Sequence, residues 1–444
     1  MNVLVDFPVK PEARPYLEAF GHGAFGRQKR EPDWLTGYRK GSLARFAELG
    51  FPSRRSESWR YLDLRGLEQT PMLPAGRAGV SAATRAQLAE IGLAEVAHRL
   101  VLVDGRFAPE LSAIEGLPSG VWLGSMAAAI AERPDLVRSG IETPSLGASR
   151  PFAALNAAFF ADGFVCDTPP GTALDRPVEI LHLSSGETGG SLHTRSLVTV
   201  GAGSRVSVVE SFIGLGSYWR NDVVELRLAA GAEFARVALV EEAAEALHIG
   251  ELLALLGPTS RLSSLVLLLG GRTVRHEATI RSDGEATQSA LRGAFVISGR
   301  QEANIVTTID HAAPAGETRE VFKGVAAGRA HGAFQGRITV RPGALEVDAH
   351  QLSQNLVLSP RAAIDTKPEL EIYADDVKCS HGAAVGDLDE AALFYMRTRG
   401  IGREEARQML IEAFVREVIE PLGSAPLREH LLSRLARRLA MLEE

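Results

Sequence analysis

Two side chains near the end of this 444-residue sequence have the types and spacing for soft-metal chemistry: Cys379 and His381, in the run Lys378-Cys379-Ser380-His381-Gly382. A thiolate and an imidazole two residues apart share one side of an extended strand, because side chains alternate between its faces. Such donors suit iron or zinc, yet two of them leave a tetrahedral ion half-coordinated. Another chain would have to supply the rest. By spacing alone a Cys-x-His pair is also compatible with a buried structural thiol beside a surface histidine, and both readings stand at this point. Other chemistry is harder to find. There is no G-x-x-x-x-G-K-[ST] phosphate loop, no C-x-x-C, no G-x-S-x-G elbow, and His276 opens only the first half of an H-E-x-x-H motif. Asp375 and Asp376 are adjacent, so on a strand they point to opposite faces and make a poor pair for glycoside hydrolysis. The histidines of the strand-rich region, His182, His193, His248, His276, His311, His331 and His350, read as satisfied structural residues, and Cys166 reads as core.

The element that must present the pair is a strand. Read as one extended segment, Lys367 to His381 puts Glu369, Glu371, Tyr373, Asp375, Val377, Cys379 and His381 on one face and Leu370, Ile372 and Ala374 on the other. The apolar row ends at Ala374, which predicts that the strand leaves the core near Asp376. Upstream, from about residue 151 to 376, short strand-like runs such as VEILHL, RSLVTV, VVELRL and GRITV follow one another with little helical pattern. Turn glycines recur at 201, 231, 257, 284, 316 and 343, at intervals of 30, 26, 27, 32 and 27 residues. Units of that size cannot bury their own apolar face, so stacked copies would share one core. The physical reading is a β-solenoid, with a β-sandwich as the alternative. Residues 1–150 are mixed: Trp34, Leu35, Tyr38, Leu43, Phe46 and Ala47 repeat at helical spacing between Asp33 and Gly50, and Arg99–Phe107 reads as a strand turning at Asp104-Gly105. Arg54, Arg55, Trp59, Arg60 and Tyr61 form a basic-aromatic cluster, read as a solvated face with half-buried rings. Residues 377–444 read as a helical region once past Gly386, with stripes at Ala406, Met409, Leu410, Ala413, Phe414 and Val418, then at Leu427, Leu431, Leu432, Leu435 and Leu439.

At DDVKCSHGAAVG and the following LFYMRTRGI the sequence resembles the SufB/SufD family of iron–sulfur cluster assembly proteins, and the Cys-Ser-His-Gly segment resembles its SufD branch. GFPSRRSESWRYLDLRGL at Gly50–Leu67 and PFAALNAAFFADGFVCDTPPG at Pro151–Gly171 resemble two further family segments, so the likeness runs over the whole chain. The resemblance implies a mainly β fold: a right-handed parallel β-helix core over residues 151–376, flanked by an N-terminal mixed α/β region (1–150) and a C-terminal helical region (377–444). It implies a non-enzymatic scaffold subunit of the SUF complex that pairs with SufB and docks the SufC ATPase, with a homodimer when isolated. No cofactor would be held stably by the chain alone. An iron–sulfur cluster would be shared with SufB, His381 and Cys379 lying at the interface, while Phe394, Tyr395, Arg399 and Gly400 fall in the region implied to dock the ATPase. A SufB-type cluster scaffold and a β-helical carbohydrate-active enzyme are the alternative readings.

Bulk composition sets further expectations. A net charge of −7 gives no electrostatic reason for a nucleic-acid or anionic-membrane partner. Two cysteines fit a reducing compartment, and the opening MNVLVDFPVKPEARP has no cationic segment followed by an apolar run. The most apolar stretch, Glu251–Gly271, is broken by Pro258 and Arg261. A cytoplasmic protein is expected.

Overall fold

The rung period found in the glycines is the period of the fold. A computed structural model describes residues 9–21, 31–76, 79–94, 96–141, 150–187 and 189–442; the first eight residues, where a leader would be sought, lie outside them. Two sheets, of ten and nine strands, face each other, and the chain alternates between them so that successive strands in one sheet are every second strand in sequence. Within the solenoid all pairings are parallel, with register steps from 26 residues (Leu247 beside Thr273) to 32 (His331 beside Ala363). The structure is therefore a parallel β-solenoid of about eight turns. All six periodic glycines fall in the corners leading from the nine-stranded sheet to the ten-stranded one. Gly231 and Gly343 adopt φ of +65° and +83°, the left-handed region open to glycine.

Stacking turns the apolar faces of single strands into ladders. Val198, Leu226, Ala254, Ile280, Ile309, Ile338 and Leu370 occupy one row of seven successive strands, and all belong to the inter-sheet core. Removing one such side chain leaves a hole that its neighbours cannot close, at a cost of about 2–5 kcal/mol for an Ile or Leu truncated to Ala. The far end of each sheet is closed by a strand running against its neighbour: Arg106–Phe107 on His98–Val103, and Trp122–Ser125 on Phe164–Thr168.

Both outer faces are covered in part. The ten-stranded sheet offers Val209, Val237, Leu265 and Val325, against which Ile411 and Val415 of the helix Arg403–Ile419 and Leu431 and Leu435 of the helix Ala425–Leu439 are buried. The helix Asp33–Leu49 matches the sequence expectation, as does the strand pair meeting at Asp104-Gly105. Phe46 of that helix joins Tyr16, Phe51, Trp59, Phe152 and Phe159 over Trp219 and Ile249 of the nine-stranded sheet. Trp59, expected to be half-buried, is buried beneath the guanidinium of Arg275, 3.8 Å from its ring centroid. Arg150 inserts between Glu251 and Glu277, at 2.8 and 3.0 Å, and fastens the N-terminal region to the same face.

One expectation is corrected. Lys367 to His381 is not one strand but two: Ala363–Ile372 closes the nine-stranded sheet and Val377–Gly386 closes the ten-stranded one. Tyr373–Asp376 make the corner, pinned by Tyr373 N–H to Val340 O at 2.9 Å and Glu346 N–H to Asp376 O at 2.6 Å. The physical cause is the rung itself, which must cross to the facing sheet about every ten residues whatever the local alternation. Glu369, Glu371 and Cys379 therefore do not share a strand face. The solenoid also continues past residue 376 to Gly386, and helix begins at Glu390.

Candidate functional site at the terminal rung

The last two strands each have a neighbour on one side only. Their outer edges present unpaired backbone donors and acceptors, a template for pairing with another chain. Around them Leu352, Ile372, Tyr373 and Val385 are large apolar side chains left exposed.

Cys379 and His381 lie on Val377–Gly386, two residues apart and so on one face of that strand. Cys379 is half-buried against the solenoid core, and burial pushes its thiol above the ordinary cysteine value, with the Ala349 N–H acting in the opposite sense. His381 is exposed. Among the described residues no three His, Cys, Asp or Glu side chains gather as a metal-binding group. The pair lies on the terminal strand of its sheet, with a thiol half-buried and an imidazole exposed. On the opposite face, Ser380 Oγ meets His350 Nδ1 at 2.5 Å, His350 Nε2 lies 2.8 Å from Asp348 Oδ1, and Arg319 reaches that same oxygen at 2.9 Å. This chain of contacts ties the terminal strand to the two strands inside it. Sequence reading missed it because its members lie about thirty residues apart and meet only through the stacking register.

The remaining histidines have structural surroundings. His248 Nδ1 bonds Glu242 at 2.9 Å, His193 Nε2 bonds Ser191 and His311 Nε2 bonds Thr318 at the same distance, and His182 stacks on Phe212 with centroids 4.3 Å apart. Burial depresses His193 to about 3 and His311 to about 4, so both are neutral in the fold. Cys166 is buried and its thiol is pushed up to about 12 by loss of solvent. Asp375 and Asp376 sit in the exposed corner between the terminal strands.

A second surface lies on the tail. Asp389 caps the helix Glu390–Thr398, its Oδ1 accepting from Ala391 N–H at 2.8 Å. Leu393 turns inward, while Phe394 and Tyr395 stand 67% and 58% exposed. Arg399 donates to Tyr395 Oη at 3.2 Å, and Gly400, at φ +85°, ends the helix. These four residues lie at the end of one helix and just past it, over nearly two helical turns. Their helix packs on the helix Arg403–Ile419, which in turn packs on the strand Glu317–Ala326.

The architecture is a parallel solenoid that ends in two long edge strands, with a helical tail on its flank. The chain belongs to the SufB/SufD family of SUF-system iron–sulfur cluster assembly proteins: residues 182–414 match the SufBD core domain of the SUF system for FeS cluster assembly, and residues 12–180 match the SufBD N-terminal region. It is similar to the iron–sulfur cluster assembly protein SufD of Escherichia coli, with 30% identity over 89% of this chain and 91% of that one. A SufBD family protein of Synechocystis is 31% identical over 90% of each chain, and the chloroplastic protein ABCI7 of Arabidopsis thaliana is 29% identical over 89% of this chain and 84% of its own length. No helix among the described residues is long and apolar enough to cross a membrane.

Proposed function

We propose that this chain is the SufD-type scaffold subunit of a SUF assembly complex, cytoplasmic and without an enzymatic step of its own. It pairs through its terminal strands with a SufB-type subunit and carries a SufC-type ATPase on the tail helix at Phe394, Tyr395, Arg399 and Gly400. His381, with Cys379 beside it, supplies donors to the nascent cluster at the joint, and the SufB-type chain supplies the others. The cluster is cargo, shared across the interface and not retained by the isolated chain. Alone, the same edges pair two copies.

The observation that carries this reading is the position of His381: an exposed imidazole on a strand whose outer edge has no neighbour. A chain joining that edge necessarily brings its own side chains beside it. The tail supports the second half, since two adjacent large aromatics exposed on one short helix are costly without a partner.

The test is anaerobic co-expression with the SufB and SufC homologues of the same organism, followed by native mass spectrometry and iron analysis. A stoichiometric complex is expected. His381→Ala should leave the complex intact and lower cluster yield, whereas Phe394→Asp should release the ATPase alone. A chain that stays by itself, or a His381→Ala variant with full cluster yield, would overturn the corresponding half.

A further inference from the structure

His381 is the last member of a polar row that runs into the solenoid. Glu320 on Glu317–Ala326, Gln351 on Val347–Val357 and His381 on Val377–Gly386 are successive register partners, at the spacing of about 4.8 Å that separates hydrogen-bonded strands. Gln351 is 2% exposed and Glu320 1%, both within the inter-sheet interior, where the hydroxyl of Thr307 also interacts with Glu320. Gln351 Nε2 donates to Glu320 Oε2 in a short bond. When Glu320 is ionised only the amide nitrogen can serve that bond, so the nitrogen faces the Glu320 strand. Among the described residues Gln351 Oε1, left buried, has no hydrogen-bond partner, an expensive condition for an amide oxygen. Space is made for the group on the facing sheet, where a Cβ on Gly336 would fall 2.0 Å from Gln351 Nε2. A buried amide with its nitrogen engaged, its oxygen bare and an imidazole as its next neighbour is half of a hydrogen-bonded pair.

We propose that Gln351, held by Glu320, is a positioning residue for His381: Gln351 Oε1 accepts the imidazole N–H and so fixes which ring nitrogen remains for iron. A histidine ligand needs this, because the bond made by one ring nitrogen sets the tautomer and the direction of the other. Burial lifts the Glu320 carboxyl to about 7, the Gln351 N–H opposing. Above that pH Glu320 is an acceptor only and keeps the amide in this orientation. The inference rests on the reading of His381 as a cluster donor, but its first test does not use iron.

That test is the histidine tautomer in the isolated full-length chain at pH 8, read from long-range 1H–15N spectra of 15N-histidine-labelled protein, with the His381 signal assigned by its loss in His381→Ala. The wild type should show one tautomer. Glu320→Gln should retain it, since a carboxamide oxygen still accepts from Gln351. Gln351→Leu should shift the signal to the mixture of a free imidazole, and Gln351→Met, of closer shape, repeats the test should the leucine variant fold poorly. In the assembled complex, iron retained by the Gln351 variants should fall about tenfold, the lower end for loss of a ligand's outer partner. An unchanged His381 tautomer in both Gln351 variants overturns the proposal. Full iron loading by His381→Ala would instead overturn the donor role itself, and the two failures are read separately.

Discussion

Lys323, buried on the outer face of the ten-stranded sheet, pairs with Glu417 of the helix Arg403–Ile419 and lies 4.2 Å above the ring of Phe414 on that helix. The two partners differ in exposure, 2% for the lysine side chain and 65% for the glutamate. Their removal should therefore be unequal. Glu417→Ala strands an ammonium in a dry seam and should cost about 1–3 kcal/mol, while Lys323→Met keeps the packing and should cost less than about 1 kcal/mol. Urea unfolding of both variants checks the order. A lysine variant worse than the glutamate variant would show that the pair is a surface contact only.

Glu320 makes stability depend on pH in a known direction. Its folded value, about 7 against 4.5 for the ordinary group, means that the fold binds a proton more tightly than the unfolded chain does. The stabilisation is complete below about 4.5 and is lost as pH rises through about 7, on the order of 3 kcal/mol in all. Glu320→Gln should thus gain on the wild type between pH 5 and pH 8. His193 and His311, depressed by burial, act in the opposite sense as pH falls below 6.5 and are common to both proteins. Parallel stability curves for the two proteins would refute the buried carboxyl.

The two cysteines should react at very different rates. Cys379 is half-exposed on the edge strand with a thiol raised by burial, and Cys166 is sealed in the core with its thiol near 12. Iodoacetamide at pH 8 should label Cys379 slowly in the native chain and Cys166 only after unfolding. Joining a partner to the terminal strand should protect Cys379. Mass spectrometry of timed aliquots gives both rates.

Arg150 is the cation between Glu251 and Glu277. Arg150→Ala leaves Glu251 buried without its partner and Glu277 with Arg275 alone, 2.6 Å away, and should cost about 3–5 kcal/mol. The loss should show first as proteolytic release of the N-terminal region, ahead of solenoid unfolding. Glu251→Gln in the same background should restore part of it, since Glu277 keeps Arg275 as its partner.

Several of these relationships were legible before any coordinates. The spacing of Gly201, Gly231, Gly257, Gly284, Gly316 and Gly343 reports the rung directly, because each marks the same corner of successive turns. The tail helices are equally plain as helices, and Leu427, Leu431, Leu435 and Leu439 are buried as expected, but the buried face of Arg403–Ile419 is carried by Ala406, Ile411, Val415 and Val418, whereas Met409 and Ala413 of the expected stripe are exposed. Lys367–His381 was less legible: alternation persists across Tyr373–Asp376 even though the backbone changes sheet, so the pattern carries no sign of the corner. Cys379 and His381 were visible as types, but their setting was not. Gln351 and Glu320 read as ordinary strand polar residues, and nothing near them in sequence marks them as buried. Only register joins Glu320 to Gln351 and Gln351 to His381, and register is a property of the stack.

The antiparallel strands Arg106–Phe107 and Trp122–Ser125 give the molecule a direction. They stand at the beginning of the two sheets and Ala363–Ile372 and Val377–Gly386 at the close, each with a neighbour on one side. If only the long last strands join another chain, as proposed above, joining two such ends consumes both, and growth stops at a pair. Were the short first strands to join as well, the same backbone chemistry would propagate head to tail into a fibre.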